Sequence, residues 1–167
     1  SGVTSDAIRD AIAVFERTLV TVNSPFDRWL RGDENALSVR EKEGYRLFKS
    51  YGCIACHQGA GVGGNMYQRM GVMGDYYSDR GGEITKADLG RFNVTGQEED
   101  RYYLKVPSRR LAALTSPYFH DSSVINLEDA IRDMAKYQLG RRISDEHVYK
   151  IEAFLKTLVG EHLELSP

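Results

Sequence analysis

Hydrophobic residues recur at helical spacing in four segments of the chain. In residues 5–22 apolar side chains lie at steps of three and four, which predicts an amphipathic helix capped by Ser5 or Asp6; they are Ile8, Ile12, Phe15, Leu19 and Val22. Asn23-Ser24-Pro25 ends this helix, and residues 26–33 are predicted to form a short connection with Trp29 as a packing anchor. An amphipathic helix needs a surface to cover its apolar stripe, so we expect residues 1–33 to contact a separate domain.

The second predicted helix leads directly into the segment that holds both cysteines. Ser38 and Glu41 have the spacing of a capping box, and Gly52 stops the helix after about Tyr51. Residues 59–96 follow without helical periodicity and contain ten of the sixteen glycines, so they are predicted to form a long loop.

Two more helices are predicted in the last third of the chain. Asn126 caps the first, whose apolar stripe is Leu127, Ile131 and Met134, and Gly140 ends it. Ser144 caps the second, Gly160 ends it, and its inward residues are Val148, Ile151, Phe154, Leu155 and Leu158. We expect this last helix to cross the helix at 38–51.

Composition narrows the class of protein. The length of 167 residues and the apolar content of 41% suit one domain with a hydrophobic core. A net charge of −2 favours neither nucleic acid nor an anionic membrane as a partner. No apolar run approaches the roughly 20 residues that a membrane span needs.

Cys53-Ile54-Ala55-Cys56-His57 is the attachment motif of c-type haem. Two thiols on one short turn can add to the two vinyl groups of one porphyrin, and the next side chain then lies under the iron as its proximal ligand. A thioredoxin-like dithiol would need a preceding strand, and a zinc site would have only His120, His147 and His162 to add to the motif. The motif therefore predicts one covalent haem c, and the glycine-rich loop can wrap the apolar surface that the porphyrin supplies.

Several residues could complete the haem site. The thioether of Met134 lies 77 residues after His57, on the apolar side of a capped helix, and is the predicted distal ligand. His120 and the group Met66, Met70 and Met73 are the alternatives. Lys105 and Arg110, in the basic turn Lys105-Val106-Pro107-Ser108-Arg109-Arg110, are predicted to bind the haem propionates.

At this point the chain resembles the C-terminal, electron-transferring half of the bacterial di-haem cytochrome c peroxidases and the related methylamine-utilisation proteins. The matching phrases span about residues 7–160 and include Ser24-Pro25-Phe26-Asp27-Arg28-Trp29-Leu30, the haem motif, Lys105-Val106-Pro107-Ser108, Leu114-Thr115-Ser116-Pro117-Tyr118-Phe119-His120-Asp121 and Tyr137-Gln138-Leu139-Gly140. The resemblance implies an all-α, class I cytochrome c-like fold over residues 34–167, wrapped around one covalent haem with a long glycine-rich loop.

The resemblance also implies roles for individual residues. Cys53 and Cys56 would hold the high-potential haem, with His57 proximal and Met134, fourteen residues after His120, distal. Thr115 and the carbonyl of Pro117 would be two ligands of a calcium ion between two haem domains; two protein oxygens make a poor calcium site, so we expect weak binding or none.

The chain departs from the family in ways that bear on function. It has one haem motif instead of two, and Arg109 and Ser122 stand where the family usually has an apolar residue and a glycine. We therefore expect an electron-transfer module that works with a redox partner, such as a small cytochrome or a cupredoxin donor, and with a second haem domain. The alternatives are a self-sufficient peroxidase that uses His120, or a haem-based sensor.

The expected location follows from the haem. Because c-type haem is attached outside the cytoplasm, we expect a periplasmic protein whose signal peptide has been removed.

Overall fold

The computed structural model describes residues 2–162, without the side chain of His162. In this range the elements are α1 Ser5–Thr18, β1 Thr21–Val22, α2 Pro25–Leu30, α3 Val39–Tyr51, β2 Tyr67–Arg69, α4 Tyr76–Arg80, α5 Phe92–Thr95, β3 Tyr103–Lys105, α6 Leu127–Asp133, α7 Asp145–Lys156 and β4 Glu161–His162. Strand β1 pairs antiparallel with β4, and β2 pairs antiparallel with β3. The fold is mostly helical, as predicted, but the two small sheets were not predicted.

Helices α3 and α7 cross at the centre of the core, as the sequence predicts. Both begin at the predicted caps: Ser38 and Glu41 bond reciprocally, and the hydroxyl of Ser144 accepts from the backbone N–H of His147. Gly52 ends α3 at φ 99°, a left-handed conformation that glycine adopts without strain. The inward residues predicted for the last helix are all buried, although α7 itself ends at Lys156, four residues before the predicted stop at Gly160.

Gly44 allows α3 and α7 to approach closely. A Cβ atom at this position would collide with the backbone carbonyl of Lys150 and would lie 2.9 Å from the Cβ of Phe154. Any larger residue would therefore force the two helices apart.

The N-terminal segment differs from the prediction in three respects. Helix α1 is capped by Thr4 rather than Ser5 or Asp6, and it ends at Thr18 rather than Val22. The remaining residues form β1, because Thr21 and Val22 pair with β4 at the other end of the described chain. No residue of α1 is buried within the described part of the chain, so its apolar stripe lies on the surface.

Residues 26–33, predicted as a connection, contain most of helix α2. Ser24 and Asp27 form a capping box, and Pro25 occupies the first turn, where its missing N–H costs no hydrogen bond. Phe26 is buried, and Trp29 packs against Phe26 and Tyr45 at ring-centroid distances of 5.9 and 5.8 Å. The packing role predicted for Trp29 is confirmed.

The prediction of an unstructured loop over residues 59–96 is wrong. This stretch contains β2, α4 and α5, and β2 is held by its pairing with β3, more than thirty residues away in the sequence. A pairing over that separation leaves no local periodic signal, which explains why the sequence pattern did not indicate it.

Helix α6 starts after Asn126, as predicted, although the Asn126 side chain accepts no hydrogen bond from the helix backbone. The helix then widens into a π-helical turn at Met134–Gln138, and Gly140 follows at φ 60°. π-Helical turns inside α-helices are rare and occur frequently at functional sites.

Candidate haem site

A cleft of about 440 Å³ brings together the haem motif and Met134. Its walls come from the end of α3, the segment 104–109, the Thr115–His120 turn, α6 with its π-helical turn, and α7. The volume lies within the range of about 300–1,000 Å³ that is typical of small-molecule and cofactor sites. The cleft therefore has the size and the apolar walls that a porphyrin requires.

The two cysteines lie on a tight turn that begins directly after α3. Residues Cys53–Ala55 form a 3₁₀ turn, and the backbone N–H of His57 donates to the carbonyl of Cys53 at 2.9 Å. Both thiols are free and partly buried, and both residues line the cleft. Burial raises the pKa of the Cys53 thiol to about 11, so the thiol stays protonated at neutral pH.

His57 lines the same cleft and is held as neutral imidazole. Burial, assisted by the nearby charge of Arg109, lowers the pKa of His57 to about 3, although the carbonyls of Pro107 and Val62 favour the protonated form. A neutral imidazole is the form that binds a metal. Metal-bound histidines usually donate their second ring N–H to a fixed acceptor. The carbonyls of Pro107 and Val62 lie near the His57 ring and could serve as that acceptor.

Gly63 makes room for the His57 ring. A Cβ atom at Gly63, which has φ 123°, would collide with the carbonyl of Pro107 and would lie 3.0 Å from Nδ1 of His57. That Nδ1 atom is buried and makes no hydrogen bond of normal geometry with the described residues. The close approach of Gly63 and Pro107 thus keeps the ring in one position.

Three of the candidate distal ligands line the cleft. Met134 does so from the first position of the π-helical turn, and Met70 and His120 also contribute to the wall. Met66 and Met73 do not line the cleft, and Met73 is 60% exposed. Strand β2, Tyr67–Arg69, lies between Met66 and Met70, so the three methionines do not share one helical face.

His120 is tied to a buried network of charges. Its Nε2 lies 2.7 Å from Oδ1 of Asp88, a fully buried carboxylate that also accepts hydrogen bonds from Arg80 and Thr85. Arg80 bridges Asp88 and Asp121 at 2.7 and 2.8 Å. Asp88, His120 and Asp121 are close enough to share a metal ion, but Arg80 already forms ion pairs with both carboxylates. The hydrogen bond from Arg80 is also the main reason that the pKa of Asp88 lies well below 3.8.

The residues of the basic turn point in different directions. Lys105 is exposed at the rim of the cleft. Arg110 does not line the cleft; its guanidinium bonds Asp27 at 2.7 and 2.8 Å and Ser24 at 3.0 Å. Arg109, which the sequence marked only as a departure from the family, lines the cleft instead.

The two residues expected to bind calcium lie at the cleft wall. Thr115 and Pro117 are both exposed, and the hydroxyl of Thr115 donates to the carbonyl of Ala112 at 3.3 Å. The two remaining histidines are elsewhere: His147 bonds Tyr51 at 2.8 Å, and the side chain of His162 lies outside the described residues.

The donor set fits a covalently bound c-type haem. Two thiols on one turn, a neutral imidazole in the next position and a thioether all belong to one apolar cleft. Structural zinc sites have closed tetrahedral sets of thiolates and imidazoles. His120 also lines the cleft, but its Nε2 is bonded to Asp88, and the one group of described His, Cys, Asp and Glu residues close enough to share a metal ion, Asp88, His120 and Asp121, includes no residue of the haem motif.

This chain is similar to known cytochrome c peroxidases. A family model described as di-haem cytochrome c peroxidase matches residues 1–35. The chain is 51% identical over 159 residues to a cytochrome c551 peroxidase of Nitrosomonas europaea, covering 95% of this chain and 46% of the relative. It is 48% identical over 159 residues to cytochrome c peroxidase Ccp of Escherichia coli, covering 95% and 34% respectively.

A solved structure is similar over nearly the whole chain. The crystal structure of a MauG-like protein associated with microbial copper homeostasis matches with a TM-score of 0.77 and 25% identity, covering 99% of this chain and 60% of that one. Of the two cytochrome c peroxidases named above, the chain spans less than half the length of each. None of the described helices combines the length and apolar character that would let it cross a membrane.

Proposed function

Because the chain belongs to the di-haem cytochrome c peroxidase family, we propose that it is a single-haem electron-transfer domain, equivalent to the C-terminal half of such a protein. The observation that supports this most directly is the cleft shared by Cys53, Cys56, His57 and Met134. A haem with histidine and methionine ligands exchanges single electrons and has no coordination site free for a substrate.

Each residue of the cleft has a distinct part in holding the cofactor. Cys53 and Cys56 would hold the porphyrin through two thioether bonds, and His57 and Met134 would bind its iron. The haem supplies a one-electron couple, while the protein fixes its orientation and keeps water away from it. The buried side chains of Phe48, Leu127 and Leu155 provide the apolar part of this wall.

Residues 1–33 form the contact with a second haem domain. The apolar stripe of α1 is on the surface, with Ile8, Ile12 and Phe15 about half exposed, at 49%, 52% and 55%. These residues lie at steps of four and three, so they form one continuous face of the helix. The two peroxidases named above are each more than twice as long as the part that this chain matches, which leaves room for such a domain.

Location and other partners follow from the cofactor. The protein works in the periplasm, where c-type haem is attached, and takes electrons from a small cytochrome or a cupredoxin. Calcium binds weakly or not at all to this chain alone, since Thr115 and Pro117 supply only two of the six to eight oxygens that calcium prefers.

Two measurements test this proposal: the number of covalent haems per chain, and the absorption spectra of variants that lack a candidate distal ligand. A pyridine haemochrome assay should give one covalent haem per chain. Met134→Ala should abolish the far-red charge-transfer band of the methionine–iron(III) bond and give a high-spin spectrum. Met70→Ala is the matched control, because Met70 also lines the cleft, and it should keep the band. A band lost in Met70→Ala but kept in Met134→Ala would show that the ligand assignment is wrong. An unmodified protein that lacks the band and whose spectrum changes in His120→Ala would show the same.

Peroxide reduction by this chain alone is the second candidate function. The pair His120–Asp88, at 2.7 Å, offers an acid–base group at the cleft wall. Peroxide reduction requires a free sixth coordination position on the iron. If Met134 fills that position, as proposed, the unmodified chain should turn over little peroxide. Turnover at the rate of a whole di-haem enzyme, lost in His120→Ala, would favour the second candidate.

A further inference from the structure

Two cationic side chains line the cleft, and they differ in burial. Lys105 is exposed at the rim, whereas Arg109 is shielded from most solvent. Burial lowers the pKa of Arg109 to about 10, so the guanidinium still carries its charge at neutral pH. The cleft therefore contains one fixed, largely buried positive charge.

This charge has no carboxylate partner among the described residues. Its Nε and Nη2 lie 3.4 Å from the carbonyl of Pro107, which is long for a hydrogen bond, and none of the described ion pairs involves it. The neighbouring Arg110 shows the contrast, since Asp27 neutralises it at 2.7 Å. A buried cation without a partner is unfavourable, so an anion that enters the cleft should bind there.

The backbone fixes Arg109 beside the proximal ligand. Its N–H donates to the carbonyls of Val62 and Gly61 at 3.1 and 3.3 Å, and these residues adjoin Gly63, which touches the His57 ring. The turn continues through Leu111 at φ 62°, a conformation that is rare for a bulky residue. The direction of Arg109 is thus set by the loop that also positions His57.

We propose that Arg109 binds a propionate carboxylate of the haem and that its charge beside His57 raises the reduction potential of the iron. This inference rests on the proposed function, because it needs haem in the cleft. Guanidinium and carboxylate can form two parallel hydrogen bonds, and the haem carries two carboxylates. Iron(III) haem has one more positive charge than iron(II) haem, so a nearby cation favours the reduced form.

The test compares reduction potentials of the haem-loaded protein by spectroelectrochemical titration. Arg109→Gln removes the charge, Arg109→Lys keeps it, and Arg40→Gln is the control, because it removes an exposed charge at the start of α3, the end of the helix away from the haem motif. The potential of Arg109→Gln should fall by on the order of 59 mV, which is a tenfold change in the ratio of reduced to oxidised haem. Arg109→Lys should keep most of the potential, and Arg40→Gln should match the unmodified protein.

Different results would overturn the two proposals separately. An unmodified protein without covalent haem would refute the proposed function. A haem-loaded Arg109→Gln protein with the potential of Arg40→Gln, or an Arg109→Lys protein as low as Arg109→Gln, would refute the role of Arg109. If Arg109→Gln does not retain haem, Arg109→Lys decides: haem retention with a near-normal potential supports the role, and haem loss there refutes it.

Discussion

The ion pair between Arg110 and Asp27 should be one of the strongest single contributions to stability in this chain. It joins α2 to the basic turn beside the cleft, with both side chains mostly buried, at 14% and 16% exposure. Two hydrogen bonds link the guanidinium to the carboxylate at 2.7 and 2.8 Å. Arg110→Met removes the cation and both bonds but keeps most of the apolar stem.

The size of the effect can be worked out from this geometry. Asp27 would keep its bonds to Ser24 but would remain mostly buried as an unpaired charge. Removing one partner of a buried pair costs about 3 kcal/mol, at the lower end here because Ser24 still solvates the carboxylate. For a chain of 167 residues this corresponds to a fall in Tm of roughly 6–12 °C.

Equilibrium unfolding in urea, followed by circular dichroism on the haem-loaded protein, measures this loss. The matched control is Arg46→Met: Arg46 also makes two bonds to a carboxylate, Glu43, at 2.8 and 2.7 Å, but on the exposed side of α3. Its midpoint should hardly change, since exposed pairs contribute little. The double variant Asp27→Asn/Arg110→Met should lose less free energy of unfolding than the two single variants lose in sum. Equal midpoints for Arg110→Met and Arg46→Met would refute the reasoning.

Three further predictions concern stability. Ser122→Gly should raise the free energy of unfolding by about 0.5–1 kcal/mol, because Ser122 has φ 58°; a lower urea midpoint would contradict this. Gly44→Ala should lower Tm by several degrees, since the new methyl group collides with the Lys150 carbonyl; an unchanged thermal scan would show that α3 and α7 can separate at little cost. Because Arg80 holds the pKa of Asp88 well below 3.8, the stabilisation is fully present above that pH and is lost as pH falls from about 3.8 through the lowered pKa; urea unfolding between about pH 7 and 3 should show the first part of this loss in the unmodified protein and much less of it in Asp88→Asn.

Local chemistry explains which elements could be predicted from the sequence. The bounds of α3 and the start of α7 follow from caps within a few residues of each helix end, and the structure has them as expected. The last residues of the predicted first helix instead form β1, because their partner strand lies at the other end of the described chain. Helix α2 did have a local signal, Ser24-Pro25 followed by Asp27, which was interpreted only as the end of the preceding helix.

The site shows the same division between local and distant information. The haem motif is a local pattern. The position of Met134 on a capped helix predicts a place beside the haem, and Met134 does line the same cleft as the motif. Which of two adjacent arginines points into the cleft could not be read from Arg109-Arg110, since it depends on Asp27, more than eighty residues earlier, and on the left-handed Leu111. Assignment of both arginines required the three-dimensional contacts.

The π-helical turn at Met134–Gln138 adds one residue to a helix that serves two neighbouring parts of the molecule. Met134 and Ala135 line the cleft, and Gln138 lines it too but also reaches the loop after β2. There Gln138 accepts from the backbone of Gly71 and Val72 at 2.7 and 3.1 Å and donates to Arg69 at 3.0 Å. Deleting one residue here, such as exposed Lys136, would close the turn to α-helical geometry and leave Gln138 facing the same loop. The same deletion in the regular part of α6, for example at exposed Glu128, would rotate the residues that follow it by about 100°, so a single-codon deletion should do less harm in the π-helical turn than before it.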